Sequence, residues 1–469
     1  MCYIVMTINA LTSTSERRIP WRIKRKKVII LAWNLLSNTC ANLSKLIEKI
    51  IKDPDFVNRH RTSPQSFTRD RLLPFHILIM FLINFIKGSY QDELDNFFKN
   101  IKGYKVARRI VTKSALSRAR KKLKHQAFIE MNRQQAAFFD TEFQPRTWNG
   151  YRLMAFDGST VRLPHQKEII DHFGTWAVHK GKDCPLARMS QMYDTLNKIS
   201  IDAIISPKAT GERKLAAQHC KHLESKHLVL LDRGYPAFWL FKLITLNGAQ
   251  FCSRISNTNW LVVKKFYQSG LKEKIVTLPP TNDSIAQCKK LGIDSKPMRC
   301  RLLRVELESG EIEILITSLR DKNTHPAEIF QELYHLRWPI EEDYKVMKIW
   351  LIMENFTGKT VESIYQDFHA KIFAKNFTSI LAFPTQKTID QVYAQRKHPY
   401  QINFAQALSK TKHVIVLILQ RSSRQTTRII RQLHEIFVQT VEMVRPNRHF
   451  ARLQKATVRK YFQNYKPLC

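Results

Sequence analysis

A layered α/β core held between helical segments is the fold that this 469-residue sequence predicts. Three observations predict it. From about residue 150 to about 320, short β-rich runs alternate with helix-patterned ones, the texture of a mixed α/β layer. Two apolar runs, 151–156 and 228–231, have the length of a buried strand and stop at an acid with a glycine close behind, Asp157-Gly158 and Asp232-Arg233-Gly234. On either side of this stretch, the apolar spacing is helical.

The charge narrows the class of partner. Against 39 acidic residues stand 77 Lys and Arg, a net charge of +38. Such an excess repels itself in the free chain and makes sense where a polyanion neutralises it, nucleic acid first. With 44% apolar and 10% aromatic residues, the chain can bury substantial cores. Its length suggests more than one domain. No uncharged apolar stretch reaches the roughly 18 residues that a membrane span needs. The first residues lack the basic, apolar, small-residue order of a signal peptide, so a cytoplasmic protein is expected. Eight cysteines lie scattered with no C-x-x-C spacing, which argues against a zinc ribbon or a disulfide framework. His222 and His227, with His219 and Cys220 before them, have finger-like spacing but no cysteine pair upstream; they read as residues of a polar helix face.

Taken in order, residues 1–40 form a basic leader with Arg17, Arg18, Arg22, Lys24, Arg25, Lys26 and Lys27, either a DNA-contacting arm or a solvated segment. The helical pattern of 43–98 is interrupted at Pro64 and Pro74. In 112–124, Thr112 is placed to cap a helix whose narrow seam is Ala115, Leu116, Ala119 and Leu123. The opposite face carries Arg118, Arg120, Lys121, Lys122 and Lys124, as a helix laid along phosphates would. A helical DNA-binding domain over 41–147 follows. Strands are then expected to end at Asp157, to cover 187–196 and 199–205, and to end again at Asp232. The interval 256–319 reads as β-rich, with a strand, turn and strand over 301–317, and a helix is expected to open near Thr324 and Pro326. Helices over 356–383 and 404–444 lead to a basic tail with Arg448, Arg452, Lys455, Arg459 and Lys460.

The stretch 334–348 concentrates the chemistry. At about 100° per residue, Tyr334, Arg337, Glu341 and Lys348 fall within a roughly 60° arc of one helix face. A carboxylate among cations suits a site that holds a metal ion and grips phosphates beside it. It equally suits a solvated, salt-bridged helix face, and both readings stand at this point. Pro339 favours a helix that begins there, which would leave Tyr334 and Arg337 in the preceding turn.

Y-x₂-R-x₃-E-x₆-K, present as Tyr334, Arg337, Glu341 and Lys348, follows D-G-S at Asp157 and D-R-G-Y at Asp232. In that order and spacing the three motifs resemble the DDE transposases of bacterial insertion sequences, the IS-four family, over residues 150–380. The resemblance implies an RNase H-like mixed-sheet catalytic core over 148–380 with a β-rich insertion at about 256–319. Helical regions would flank it, the basic C-terminal one over 381–469. It implies a triad of Asp157, Asp232 and Glu341 that holds two Mg²⁺ ions, with Mn²⁺ able to substitute. Three hard carboxylates suffice for that and leave waters to exchange. Tyr334, Arg337 and Lys348 would grip the transposon end, and an aromatic of the insertion would stack on a flipped base; Trp260 is the one Trp of that interval.

The resemblance thus implies strand cleavage at terminal inverted repeats and transfer of the 3′-OH to target DNA by a homodimer on DNA, with no membrane role. Two alternatives stay open: a catalytically silent DNA-binding protein derived from a transposase, and a general nuclease of the same fold.

Overall fold

The structure is a computed structural model that describes residues 21–69, 71–178, 182–307 and 310–445. Its organising element is β1 (Arg152–Arg162), an interior strand of a nine-stranded sheet. On one side β1 pairs antiparallel with β3 (Lys182–Asp194), itself paired with β2 (Thr175–Val178) and β4 (Ile199–Ser206). On the other side it pairs parallel with β5 (His227–Leu231), and β5 pairs parallel with β6 (Gln250–Ile255). Three antiparallel strands followed by two parallel ones, in the order β4-β3-β1-β5-β6, are the RNase H-like arrangement. β7 (Glu273–Leu278), β8 (Met298–Glu306) and β9 (Ile312–Thr317) extend the sheet antiparallel beyond β6.

The burial of these strands follows from where their neighbours stop. All five residues of β5 are buried, as a parallel strand covered on both faces requires. In β1, residues 152–156 are buried and 157–160 are only half-buried. The parallel pairing ends at Phe156 opposite Leu231, so from Asp157 onward β1 is held only by β3. That corrects one expectation: β1 does not end at Asp157 but runs five residues past it. The β3 hairpin supplies the ladder there, with Gly158 opposite Ser190 and Arg162 opposite Leu186. β5 does end immediately before Asp232.

Helices cover both faces. On one face a single core runs from Cys40 to Phe437 and takes in the N-terminal helices, the C-terminal helices and one side of β1, β3 and β4. The N-terminal helices are α1 (Trp21–Lys52), α2 (Pro54–His60), α3 (Phe75–Leu82), α4 (Tyr90–Lys102), α5 (Lys113–Arg120) and α6 (Gln126–Glu142). A short helix, α7 (Lys167–Phe173), links β1 to β2. The other face packs against α8 (Glu212–His219) and α9 (Phe238–Leu246). Between β6 and β9 lie α10 (Leu261–Gln268) and α11 (Asn282–Leu291), so the interval expected to be β-rich is an α/β insertion. The polar runs of these helices are short enough to pass for loops.

After β9 come α12 (Ile329–His335) and α13 (Pro339–Lys345), the latter continued by a single π-helical turn, Val346–Trp350. Then α14 (Val361–Val392), capped reciprocally by Thr360 and Ser363, crosses the centre of the molecule and is buried on nearly every side. The predicted run 404–444 divides at Ser422 into α15 (Phe404–Gln420) and α16 (Ser423–Gln439). A short antiparallel pair of β10 (Tyr400–Ile402) and β11 (Val441–Met443) brings their outer ends together.

Of the basic leader, Arg17 and Arg18 lie outside the described residues, as do all five cations named in the tail. Arg22 to Lys27 belong to the backbone of α1. No helix among the described residues is long and apolar enough to cross a membrane.

Candidate active site

The place where β5 stops and β1 continues is a crevice at the carboxyl end of parallel strands, where open α/β sheets bind ligands. Asp157 lies one residue past the end of the β1–β5 ladder and Asp232 directly after β5. Gly158 N donates to Asp157 Oδ1 at 2.9 Å, and Gly234 N donates to Asp232 Oδ1 at 2.7 Å. Position 234 leaves little room for a side chain, because a Cβ there would stand 3.1 Å from that same carboxylate oxygen. The turn glycine therefore permits the approach that aims Asp232.

Glu341 comes from α13, whose first residue is Pro339. The segment 334–348 is thus two short helices and a turn rather than one continuous helix. Tyr334 sits at the end of α12, Arg337 in the turn and Glu341 in the first turn of α13. At about 100° per residue, three successive acids diverge. Glu341 faces the crevice with its side chain 21% exposed; Glu342 points to solvent and pairs with Lys345 at 2.5 Å. Asp343 turns into the core, where Lys375 Nζ donates to both its oxygens at 2.6 Å.

Burial pushes the Asp157 carboxyl up to about 6; the Gly158 N–H and Arg337 oppose the rise, while Asp232 and Glu341 add to it. Asp232 and Glu341 are thus both near enough to Asp157 to raise its carboxyl. Arg337 is the cation among them. It is buried, and its Nη2 donates to Glu341 Oε1 at 2.6 Å. Its guanidinium lies 5.9 Å from the ring centre of Tyr334 and 5.7 Å from that of Trp338, and its Nε has no hydrogen-bond partner. Lys348, on the π-turn, donates to Ser159 Oγ at 2.7 Å, and burial holds its ammonium below the ordinary lysine range. Tyr334 is buried beside these groups, its phenol pushed up by burial.

The donor set suits a hard divalent cation, because three carboxylates with a charge they cannot comfortably share would be relieved by one. Among the described residues, however, no three His, Cys, Asp or Glu side chains stand close enough together to hold a metal ion.

Other sequence expectations fare differently. Thr112 does cap α5, accepting from Ala115 N at 3.2 Å, but the helix stops at Arg120. Arg118 and Lys121 are exposed; Lys122 is partly so; Lys124 Nζ donates to Arg59 O at 3.1 Å. Arg120 is not on the solvent face. It is 4% exposed and cross-links the N-terminal helices to α14, because four residues after Leu116 it lies on that residue's buried side. Trp260 is also withdrawn from the surface. It is buried next to Phe241 at a ring separation of 6.5 Å, in the core of the insertion, and has no face free for a base. His227 opens β5 instead of lying on a helix, and His219 is buried against Asp202.

Spacing did not single out Ser159, Tyr344 or Trp338. Ser159 stands two residues after Asp157 and shares its strand face, a period that could have found it. Trp338 is 47% exposed beside Arg337, and only its exposure distinguishes it from a core residue.

The chain is similar to known transposases. The transposase DDE domain family matches residues 148–377, which contain Asp157, Asp232 and Glu341. The chain is 21% identical over 418 residues to transposase InsG for insertion sequence element IS4 of Escherichia coli (strain K12), covering 87% of this chain and 91% of the relative. The piggyBac transposase, in a cryo-EM structure of its synaptic complex with hairpin DNA, aligns over 84% of this chain and 81% of its own, at 8% identity and a TM-score of 0.41. Residues 148–377 thus match the transposase DDE domain family, and over most of its length the chain is similar to a transposase of insertion sequence element IS4.

Proposed function

We propose that this protein cleaves the ends of an insertion sequence and joins the liberated 3′-OH to target DNA. The observation that carries the reading is the placing of Asp157 one residue past the ladder to β5, with Asp232 directly after β5 and Glu341, paired to Arg337, both acting on its carboxyl. In this reading the three acids hold two divalent ions, Mg²⁺ or in its place Mn²⁺, which supply activation of the attacking hydroxyl and stabilisation of the departing oxygen. The protein's own part is to place and grip. Arg337, buried with an unused Nε, offers donors to a phosphate at the end DNA. Tyr334 packs beneath it, and Lys348 is held beside Asp157 through Ser159. The exposed Trp338 offers a stacking face to an unpaired base at the crevice edge.

The flanking regions take the remaining contacts. Residues 41–147 would bind the terminal inverted repeats, with Arg118, Lys121, Lys122 and Lys124 toward phosphates. The basic leader 1–40 and the C-terminal region 381–469 would add contacts to end and target DNA. Two ends must meet for excision and joining, so a homodimer assembled on DNA, in the cytoplasm, completes the proposal.

Alanine at Asp157, Asp232 or Glu341 should abolish cleavage and joining in Mg²⁺ while affinity for a duplex bearing the end sequence changes less than about threefold. Activity at the wild-type rate in any of the three sinks the assignment. One observation favours the second reading, a DNA-binding protein without catalysis: no three acids stand at metal-holding distance among the described residues, and Glu341 is paired with Arg337. Tight binding to the ends with no nicking in Mg²⁺ or Mn²⁺ would select it.

A further inference from the structure

The helix that carries Glu341 touches the strand that carries Asp157 through a side chain the proposed chemistry does not use. Tyr344 lies one helical turn beyond Glu341 and is buried; its hydroxyl donates to the main-chain carbonyl of Asp157 at 2.7 Å. The same carbonyl accepts from Ser190 Oγ, on β3, at 3.3 Å. Ser190 Oγ in turn stands 2.9 Å from His219 Nε2, and His219 Nδ1 stands 2.8 Å from Asp202 Oδ2. Ser190 and His219 are wholly buried, so this serine, histidine and aspartate meet no substrate. They give the carbonyl a second hydrogen bond besides that of Tyr344.

The bracing falls where the sheet gives least support. The ladder to β5 stops at Phe156, one residue before Asp157. Side-chain hydroxyls from α13 and β3 therefore hold the main chain at the position that presents the carboxylate. Farther along the same helix, Lys348 Nζ reaches Ser159 Oγ at 2.7 Å and makes a second link between the two elements.

We propose that Tyr344 is a positioning residue that fixes the separation between the Asp157 and Glu341 carboxylates, with Ser190, backed by His219 and Asp202, holding the Asp157 carbonyl as well. The proposal rests on the transposase reading of the site. Two carboxylates that share small cations must keep their spacing to a fraction of an ångström, and a displacement of about 1 Å costs on the order of a hundredfold in rate. A phenol on the helix of one acid, hydrogen-bonded to the backbone of the other, couples the two directly. Phenylalanine at 344 keeps the ring in the core and removes that coupling together with the hydroxyl's hydrogen bond to the Gln191 side chain.

The full-length chain is tested as wild type, Tyr344→Phe, Ser190→Ala and Asp157→Asn. Four quantities are measured: the cleavage rate on end DNA against Mg²⁺ concentration, affinity for that DNA, the unfolding midpoint, and direct Mn²⁺ binding by loss of the free-ion electron paramagnetic resonance signal. Tyr344→Phe is expected to slow cleavage at saturating Mg²⁺ about tenfold or more and to weaken Mn²⁺ binding about fivefold. DNA affinity should stay within about twofold and the midpoint within a few degrees. Ser190→Ala should move the same two quantities in the same direction by less.

A folded Tyr344→Phe with wild-type Mn²⁺ binding and cleavage overturns the proposal, as does a rate that falls only with the folded fraction. Should Tyr344→Phe fail to fold, Ser190→Ala decides in its place, and wild-type behaviour there overturns the proposal equally. Asp157→Asn separates the two levels. If it still binds Mn²⁺ and cleaves, the site reading itself fails and the proposal with it. If it is inert while Tyr344→Phe is unimpaired, only the positioning role fails.

Discussion

Two buried arginines, Arg120 and Arg337, look alike in the sequence and occupy opposite kinds of environment. Arg120 spends every nitrogen inside the protein. Its Nε donates to Gln366, Nη1 to Tyr90 and Thr357, and Nη2 to the Ser363 carbonyl and to Asp367 at 2.5 Å. Arg337 has one ion pair, with Glu341, two aromatic rings against its planar faces and an Nε without a partner. A guanidinium whose donors are all used is a cross-link. One with donors left over, in a crevice among acids, is ready for a ligand that arrives with oxygens.

The largest effects follow from exchanging these two environments for alanine. Arg120→Ala strips Asp367 of its charge partner in a buried site and leaves several acceptors empty, so a loss of about 3–5 kcal/mol is expected in chemical denaturation. Arg120→Lys should restore little, since an ammonium cannot reach five acceptors. Arg337→Ala should cost far less stability, yet lower the cleavage rate on end DNA about a hundredfold. If Arg337→Ala proved the more destabilising change, the contrast between cross-link and ligand-binding residue would collapse.

Acid should separate the two regions at a smaller scale. The helical side buries neutral histidines. Burial pushes His434 down to about 4 and His369 to about 3; in β5, burial does the same to His227, to about 4. His434 Nε2 lies 2.9 Å from the Leu381 carbonyl, so that nitrogen carries a proton and donates it. Near pH 6.5 the unfolded chain begins to take up protons at these positions and the folded chain does not. Their contribution is therefore complete above about 6.5 and is lost as pH falls through the folded values near 4. The thermal midpoint should fall steadily between pH 6.5 and 4, and a flat profile over that range would contradict the burial of these rings.

Much of this was legible beforehand, and what was not has a common cause. The acid after an apolar run located Asp232, and the Y-x₂-R-x₃-E-x₆-K pattern picked Glu341 over its two acidic neighbours, because both signals are local. The length of β1 was not local. Its ladder beyond Asp157 depends on a hairpin thirty-odd residues downstream, and nothing in 157–162 announces that partner. Arg120 failed similarly: a basic residue on a basic helix is assigned to solvent unless its acid, Asp367, can be seen across the fold. Trp260 was chosen as the one Trp of its interval, a criterion that carries no information on burial. Pro339 did carry information, and the break it produces between α12 and α13 is what sets Arg337 in a turn.

The smallest expected effect concerns the cations that the structure leaves outside. With Arg120 removed from the list, α5 and the turn after it present Arg118 and Lys121 to solvent, with Lys122 partly exposed. Neither Arg118 nor Lys121 touches the core, so Arg118→Ala and Lys121→Ala should shift stability by no more than about 0.5 kcal/mol. If each neutralises one phosphate, its loss lowers the slope of log affinity against log salt by about 0.9. The double variant should then lower the slope by about twice that on the end sequence and on unrelated duplex alike, because phosphate contacts carry no base information. A change confined to the end sequence would mean that this face reads bases. An unchanged slope would move the DNA off α5 altogether, and the basic helix would join Arg120 as a feature whose charge serves the fold.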